Sequence, residues 1–326
     1  MSTVVVTGAT GFVMASVARH LAGHALDVVA ADLHPPDEAL AGYLAGPRGA
    51  VRFRRVDVTD ADAVAALLGE TRPERLVHGA ALTSIPPDVE RARFVRTAEV
   101  NVLGTLRVLD AAREARVGRI VVISSGSVYG ARPDLAPIAE EDPHRPVELY
   151  PATKWAADAL ARRFAQVHGL DLVVARLASP FGPFERDTGS RPLLSPIREW
   201  VAAALRGEPV RVLGPAPPAR DWAFVADIAS GIAALTLAGG LAHQAYNVGW
   251  GRLTSVEEAL AALGRVAPGL AVERRPDEPS PWRVSPARGP LAIDRLCADT
   301  GWAPQHDIVS GVAAYLDWAR AHPDIV

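Results

Sequence analysis

The sequence predicts an α/β protein: a doubly wound parallel sheet followed by a smaller, loop-rich C-terminal lobe. Three observations lead there. Short β-branched runs alternate with helix-period segments through the first half of the chain. Those strands are continuously apolar rather than alternating, as strands covered by helices on both faces are. Beyond Arg176 the texture changes, with Pro and Gly clustering at Ser179–Pro183, Gly214–Pro218 and Pro276–Pro290.

Taken in order, Thr3–Thr7 is the first strand and runs into glycines, Phe12–Leu21 is a helix, and Asp27–Asp32 is the second strand. Val51–Val56 makes a third strand, Ala61–Leu68 a helix, and Arg75–His78 a short fourth strand. One long helical stretch covers Val89–Ala115. Arg119–Ser124 is the fifth strand, Pro151–His168 a helix, and Leu170–Arg176 the sixth strand. In the second half Ile197–Leu205 and Val256–Leu263 read as helices, and Gln244–Val248 as a strand able to rejoin the first sheet. Asp277–Pro290 is a Pro-rich loop. Internal repeats and low-complexity linkers are not seen.

The chain has 326 residues, 49% of them hydrophobic and 22% charged, the composition of a soluble protein with a full core. A net charge of −3, with both signs scattered, argues against nucleic acid as a partner and against an acidic interaction tail. One cysteine, Cys297, cannot form an internal disulfide, which points to the reducing cytoplasm. The first strand starts within three residues, leaving no room for a signal peptide, and apolar runs such as Ile120–Ile123 are too short to span a membrane. A soluble cytoplasmic protein without a metal site is expected. Of the 34 basic residues 33 are arginine, and the only lysine is Lys154. Where arginine is written so freely, a retained lysine suggests a need for a compact ammonium with rotatable donors.

The turn Gly8-Ala9-Thr10-Gly11-Phe12 joins the first strand to the first helix. Glycines there let the main chain approach a pyrophosphate whose charge rests on the helix N-terminus. Asp32 ends the next strand, where a carboxylate accepts hydrogen bonds from the adenosine ribose and repels a 2′-phosphate, so NAD is favoured over NADP. A helix N-cap is the bland alternative for Asp32. Asp57, after the third strand, is placed to meet the adenine edge. The third glycine of the dinucleotide pattern falls at position 14, where this chain has Met14, which argues against very tight retention of the cofactor. Residues 1–176 are therefore read as an NAD-binding Rossmann domain, with a strand and helix returning around 220–248, and residues 177–326 as a substrate-binding lobe.

Tyr150 and Lys154 stand four apart at the start of a helix, on one face. A free tyrosine, with a pKa near 10, is a poor base, and a neighbouring ammonium favours its phenolate. Such a pair suits proton exchange with an alcohol or ketone. A Tyr-x-x-x-Lys spacing alone more often marks a solvated helix face, but the single lysine of the chain falls at this spot. The fifth strand delivers Ser124-Ser125-Gly126-Ser127-Val128-Tyr129-Gly130 to the same edge of the sheet, where a serine hydroxyl can hold the reacting oxygen. For Ser124 a plain turn role is favoured.

With these motifs the chain resembles the extended short-chain dehydrogenase/reductases, and within them the NAD-dependent epimerase/dehydratase group. The likeness continues through Asp57-Val58-Thr59, His78-Gly79-Ala80-Ala81, Asn101-Val102-Leu103-Gly104-Thr105, Arg220-Asp221-Trp222 and Tyr246-Asn247-Val248-Gly249. The resemblance implies Tyr150 as the catalytic acid/base, Lys154 holding the nicotinamide ribose, and Ser125 polarising the reacting oxygen. It implies a cofactor site made of Gly8, Thr10, Gly11, Phe12, Val13, Asp32, Leu33, Asp57, Val58, Gly79, Ala80, Ala81, Asn101 and Leu177. A substrate site would use Thr83, Ser127, Ser179, Arg186, Arg220 and Arg275, with the two arginines 220 and 275 gripping a nucleotide diphosphate as in sugar-nucleotide enzymes. In so arginine-rich a chain an ordinary surface position is the plainer reading of either, and for Arg275 an equal one. A homodimer joined through the helices of Val89–Ala115 and Pro151–His168 is also implied.

Dehydratases and decarboxylases of this group carry Asp or Glu in the two positions after the hydroxyl residue; this chain has Gly126 and Ser127, which disfavours elimination. The leading expectation is a nucleotide-sugar 4-epimerase working through a transient ketone. A dehydrogenase of a free sugar, sugar acid or amino alcohol is the alternative, favoured by Ser179 where the group has Asn, by Met14, and by the charged run Glu185-Arg186-Asp187. That run suits either recognition of a smaller, charged substrate or the capping of a helix. A non-catalytic NAD-binding regulator is the least favoured, because Ser125, Tyr150 and Lys154 are all present.

Overall fold

The computed structural model describes residues 2–45, 51–83, 87–215, 217–280 and 286–326. The middle of the Pro-rich loop expected at Asp277–Pro290 and one residue of the Gly214–Pro218 cluster lie outside the described residues.

The first half runs β1 (Thr3–Thr7), α1 (Phe12–Gly23), β2 (Asp27–Asp32), α2 (Glu38–Leu44), β3 (Val51–Arg55), α3 (Ala61–Thr71), β4 (Arg75–His78), α4 (Pro87–Ala98), α5 (Thr105–Glu114), β5 (Arg119–Ser125), α6 (Leu149–His168) and β6 (Leu172–Leu177). The second half adds β7 (Ser179–Phe181), α7 (Pro196–Arg206), β8 (Val210–Leu213), β9 (Trp222–Phe224), α8 (Val225–Leu237), β10 (Ala245–Val248), α9 (Val256–Val266), β11 (Val272–Arg275), α10 (Asp294–Thr300) and α11 (Ile308–Ala321). No helix among the described residues is long and apolar enough to cross a membrane.

Seven strands form one parallel sheet in the order β10-β6-β5-β4-β1-β2-β3. Its central strands are apolar on both faces because each face is covered: Val4, Val6, Val28 and Val121 belong to one core with α1 and α8. Val5, Val29, Ile120 and Val122 pack into the other, with α3, α5 and α6. The strand order reverses between β1 and β4, and a crevice opens at their carboxyl ends, as it does at the switch point of doubly wound sheets. His78 ties this point together, its Nδ1 pairing with Thr7 Oγ1 at 2.7 Å and its Nε2 with Thr105 Oγ1 at 3.0 Å. The returning strand expected at Gln244–Val248 is β10, which extends the sheet beside β6.

A third apolar cluster belongs to the C-terminal elements, where Trp200, Val212, Phe224, Leu260 and Tyr315 pack together. Its helices start on side-chain caps: Ser195 receives the Arg198 N–H ahead of Pro196, and Ser255 with Glu258 forms a reciprocal capping box. Two small parallel pairs, β7 with β9 and β8 with β11, complete the lobe.

The long helix expected over Val89–Ala115 is not continuous. Between α4 and α5 the residues Glu99–Gly104 form a π-helical turn. One additional residue per turn re-aims the side chains there, and such turns recur at functional sites.

Candidate active site

A cleft of about 990 Å³ opens above the switch point and is lined from both halves of the chain. Its cofactor wall starts at the β1–α1 turn. Gly8 has φ +73°, and a Cβ on it would stand 2.7 Å from the Ala80 main-chain nitrogen, so only glycine lets this turn meet the loop after β4. Gly11 is the α1 N-cap with no side-chain cap, and no acidic residue occupies the first turn. The early amide N–H groups of α1 are thus left for an anion, beside Gly11, Phe12 and Val13, which line the cleft. These features fit the pyrophosphate of a dinucleotide.

Met14, at the third-glycine position, has a local explanation. It is 4% exposed, and a Cβ on Gly79 would stand 2.4 Å from its Sδ. The bulk at position 14 lies on the bare Cα of Gly79, so the helix keeps its approach to the sheet.

Asp32 Oδ2 accepts the Thr10 N–H at 3.0 Å and Oδ1 the Leu33 N–H at 2.7 Å, which leaves lone pairs toward the cleft it lines. It is not a helix cap; Asp37 caps α2. Asp57 Oδ1 receives Thr59 N and Oγ1, while Oδ2 faces Arg96 at 3.1 Å. Leu33, Val58, Gly79, Ala80, Ala81 and Leu177 also line the cleft. Asn101 does not. It is fully buried, its Oδ1 accepting the Leu82 N–H at 2.8 Å and its Nδ2 donating to Leu82 O and to Thr153 Oγ1, both at 2.9 Å. The π-helical turn aims it under the β4 loop, where it clamps Leu82 to the α6 turn carrying Lys154. Asn101 therefore does not line the cleft as expected; its side chain is spent on Leu82 and Thr153.

Tyr150, Lys154 and Ser125 converge at the inner end of the cleft. The Ser125 hydroxyl hydrogen-bonds the Tyr150 phenol and accepts from Ser127 N at 3.2 Å and Ser127 Oγ at 2.9 Å. The turn that bears it is anchored below: the Tyr129 hydroxyl donates to Asn247 Oδ1 and accepts from Arg176, whose buried guanidinium is neutralised by Asp158 at 2.8 Å. Burial brings the Lys154 ammonium down to about 8, against the pull of Asp158.

The expected lowering of the tyrosine by Lys154 is not what the geometry does. Burial raises the Tyr150 pKa, and the groups opposing it are the Ser125 hydrogen bond and the charge of Arg191. Arg191 reaches this spot from the far lobe. It pairs with the buried Glu185 at 2.7 Å, and its guanidinium lies 5.3 Å from the Phe12 ring centre.

The charged run after Phe184 forms a strap across the cleft. Phe184 packs against Tyr43 with the rings tilted by 47° and centroids 4.5 Å apart, Arg186 pairs with Asp37 at 2.5 Å, and the carbonyls of Gly189 and Ser190 accept from Arg93 and Thr83. Glu185 receives Ser195 N at 2.8 Å and Oγ at 2.6 Å, holding the start of α7. Glu185 thus serves the helix start, the capping alternative open to this run, while Arg186 helps fasten the strap and, with Asp187, also lines the cleft. Thr83, in the loop after β4, holds the strap through Ser190 O and also lines the cleft.

Ser127, Ser179, Arg186 and Arg220 line the cleft. Arg275 does not: it sits on β11 at the surface, between Glu273 at 3.2 Å and Glu278 at 2.9 Å. Arg288, not singled out by the sequence, lines the cleft beside Arg220. Local sequence signals neither Arg191 nor Arg288, because each is carried in by a loop whose partners are distant in the chain.

The NAD-dependent epimerase/dehydratase family model matches residues 4–249. Over 322 residues the chain is 33% identical to a UDP-glucose 4-epimerase of Mycolicibacterium smegmatis, covering 97% of each. It is 33% identical over 273 residues to a dTDP-glucose 4,6-dehydratase of Streptomyces niveus, covering 82% of this chain and 76% of that one. Among solved structures, the Thermus thermophilus UDP-glucose 4-epimerase complex with NAD matches with TM-score 0.81 at 29% identity, over 98% of this chain and 99% of that one.

Proposed function

The chain belongs to the NAD-dependent epimerase/dehydratase family, and from that premise we propose that it is a nucleotide-sugar epimerase inverting C4 through a transient ketone. The observation that carries this reading is the makeup of the inner end of the cleft. Ser125, Tyr150 and Lys154 meet there without a carboxylate. Among the described residues the acids lining the cleft are Asp32, Asp37, Asp57 and Asp187, all on the adenosine side or the strap. Elimination of water needs a group to protonate the departing hydroxyl, and Gly126 and Ser127 offer no carboxylic acid for it.

Bound NAD supplies the hydride acceptor and donor. Tyr150 takes the proton of the C4 hydroxyl and returns it to the ketone, with Ser125 holding the same oxygen. Lys154, the single ammonium of the chain, fits the nicotinamide ribose hydroxyls. Arg191 favours the phenolate that burial disfavours. Arg220 is assigned to the diphosphate.

A homodimer belongs to the same proposal. Of the large hydrophobic side chains left exposed among the described residues, Phe94, Val95, Leu103, Leu160 and Val167 lie on α4, the π-helical turn and α6. Light scattering on the purified protein tests it, and a monomer at micromolar concentration would refute it.

The function is tested by incubating protein and NAD with UDP- and dTDP-sugars, free sugars and sugar acids, following NADH absorbance and product identity. A new stereoisomer without net NADH is expected, and Tyr150→Phe should lower kcat by roughly 10²- to 10⁴-fold. Stoichiometric NADH from a sugar without a nucleotide would replace the epimerase by a dehydrogenase, and a deoxy-keto product by a dehydratase.

A further inference from the structure

Several arginines line the cleft, and most are engaged within the protein. Arg93 donates to Gly189 O at 3.1 Å, Arg96 binds Asp57, Arg186 binds Asp37, and Arg191 binds Glu185. Arg288 differs. It is half-buried, lines the cleft, and lies among Gly126, Ala178, Ser179, Arg220 and Asp221. Among the described residues no side-chain hydrogen bond and no ion pair within 4.0 Å engages its guanidinium. Asp221 and Glu148 act on it through space, but the Asp221 carboxylate is already occupied by the N–H groups of Trp250 at 2.9 Å, Leu291 at 3.0 Å and Gly251 at 3.3 Å. Burial disfavours the charged guanidinium. A partly desolvated cation with open, planar donors is costly to hold unless an oxyanion takes the fork.

The position of Arg288 narrows the anion. Gly126 adjoins Ser125 and Ser127, and Glu148 lies two residues before Tyr150, so Arg288 stands at the catalytic end of the cleft and not at the adenosine end. There a nucleotide sugar presents its hexose ring. Two oxyanions could come within reach: a carboxylate on the exocyclic carbon of the sugar, or the diphosphate, which Arg220 is assigned to serve.

We propose that Arg288 is a specificity residue that grips a sugar carboxylate, so that the preferred substrates are nucleotide-linked hexuronic acids. The assignment rests on the nucleotide-sugar reading above and names the sugar class within it. It accounts for a cation in the recess beside Gly126 and Ser179 that proton exchange at a neutral hexose does not require. Ser127 and Ser179, hydroxyls on the same wall, complete a polar rim for the acid group.

The test compares kcat/KM for UDP-glucuronate and UDP-glucose in the NAD-loaded wild type, Arg288→Met and Arg288→Lys, with unfolding midpoints recorded to confirm that each variant folds. The wild type should prefer the uronate. In Arg288→Met the preference ratio should fall by roughly 10- to 100-fold, the worth of a charge-assisted pair, and Arg288→Lys should recover part of it. A wild type that prefers UDP-glucose overturns the carboxylate assignment and leaves the epimerase standing. Equal losses on both sugars in Arg288→Met give the arginine to the diphosphate instead and likewise overturn it. Binding of the two nucleotides, followed by calorimetry, separates a failed site from a failed reaction: uronate binding that depends on Arg288 without epimerised product upholds the subsite and refutes the epimerase. If neither nucleotide binds, both readings fall.

Discussion

The wall of the cleft proposed for the cofactor and the wall proposed for the substrate are made of different material. On the cofactor wall the recognising groups are largely main chain: the open N–H groups of α1, the bare Cα atoms of Gly8 and Gly79, and Asp32, itself held by two amides. Their mutual geometry follows from adjacent strands of one sheet. On the substrate wall the groups are arginine side chains carried by loops, and they are oriented by ion pairs that are near in the chain, as Arg191 with Glu185, or far, as Arg186 with Asp37, 149 residues away. A main-chain wall is intolerant at a few positions and indifferent elsewhere. A side-chain wall can be re-specified one residue at a time while the fold stays.

Gly8→Ala is the strongest way to break that comparison. The new methyl combines a left-handed backbone with a 2.7 Å approach to the Ala80 nitrogen, and main chain cannot swing aside as a side chain can. Strain and overlap together should weaken NAD binding by roughly 100-fold, as measured by calorimetric titration. Wild-type affinity in this variant would show that close main-chain approach does not make the wall.

A smaller effect sharpens the same point. Gly79→Ala pushes a methyl into Met14, whose thioether is flexible, so the cost should be about 1–3 kcal/mol in denaturant unfolding. Adding Met14→Ala should relieve the overlap, and the double-mutant cycle should show a coupling on the order of 1 kcal/mol. Additive costs would mean that Gly79 and Met14 do not accommodate one another.

The contrast between the walls also explains what the sequence disclosed. β1, β2 and β4 fall at Thr3–Thr7, Asp27–Asp32 and Arg75–His78 as expected, because buried parallel strands announce themselves by continuous apolar runs. The turn from Gly8 to Phe12 and the Tyr150/Lys154 pair were legible because their spacing is local. The π-helical turn was not, since a helical dihedral pattern continues through it and one additional residue leaves the apolar period nearly unchanged. Its consequence, Asn101 turned away from the cleft, was therefore hidden too. Arg275 looked suitable by its place in the chain but lies on the exposed strand β11. The bridge between Ile138 and Leu291 instead brings the neighbouring Arg288 to the cleft, a contact between segments more than a hundred residues apart. The run Glu185-Arg186-Asp187 read either as a recognition element or as a helix cap, and its contacts to Ser195 and Asp37 hold a helix start and a strap. Charge in a sequence states that a partner is needed, not whether that partner is ligand or protein.

Arg191 offers the finest test, because it comes from the wall proposed for the substrate but acts on Tyr150, the proposed acid/base. Burial raises the Tyr150 pKa while the Ser125 hydrogen bond and the Arg191 charge oppose it. Replacing Arg191 by Met removes a cation that favours the phenolate, so the Tyr150 pKa must rise further. The phenolate fraction at any pH below that pKa then falls. The alkaline rise in kcat/KM for the oxidative half-reaction should move to higher pH, with a loss of less than about tenfold at pH 8. Arg191→Lys keeps the charge and should restore most of the profile. The helix start survives in either variant, since Glu185 retains its bonds from Ser195 N and Oγ. An unshifted profile in Arg191→Met would mean that the arginine only fastens the strap, and that the tyrosine is tuned wholly from the cofactor side of the cleft.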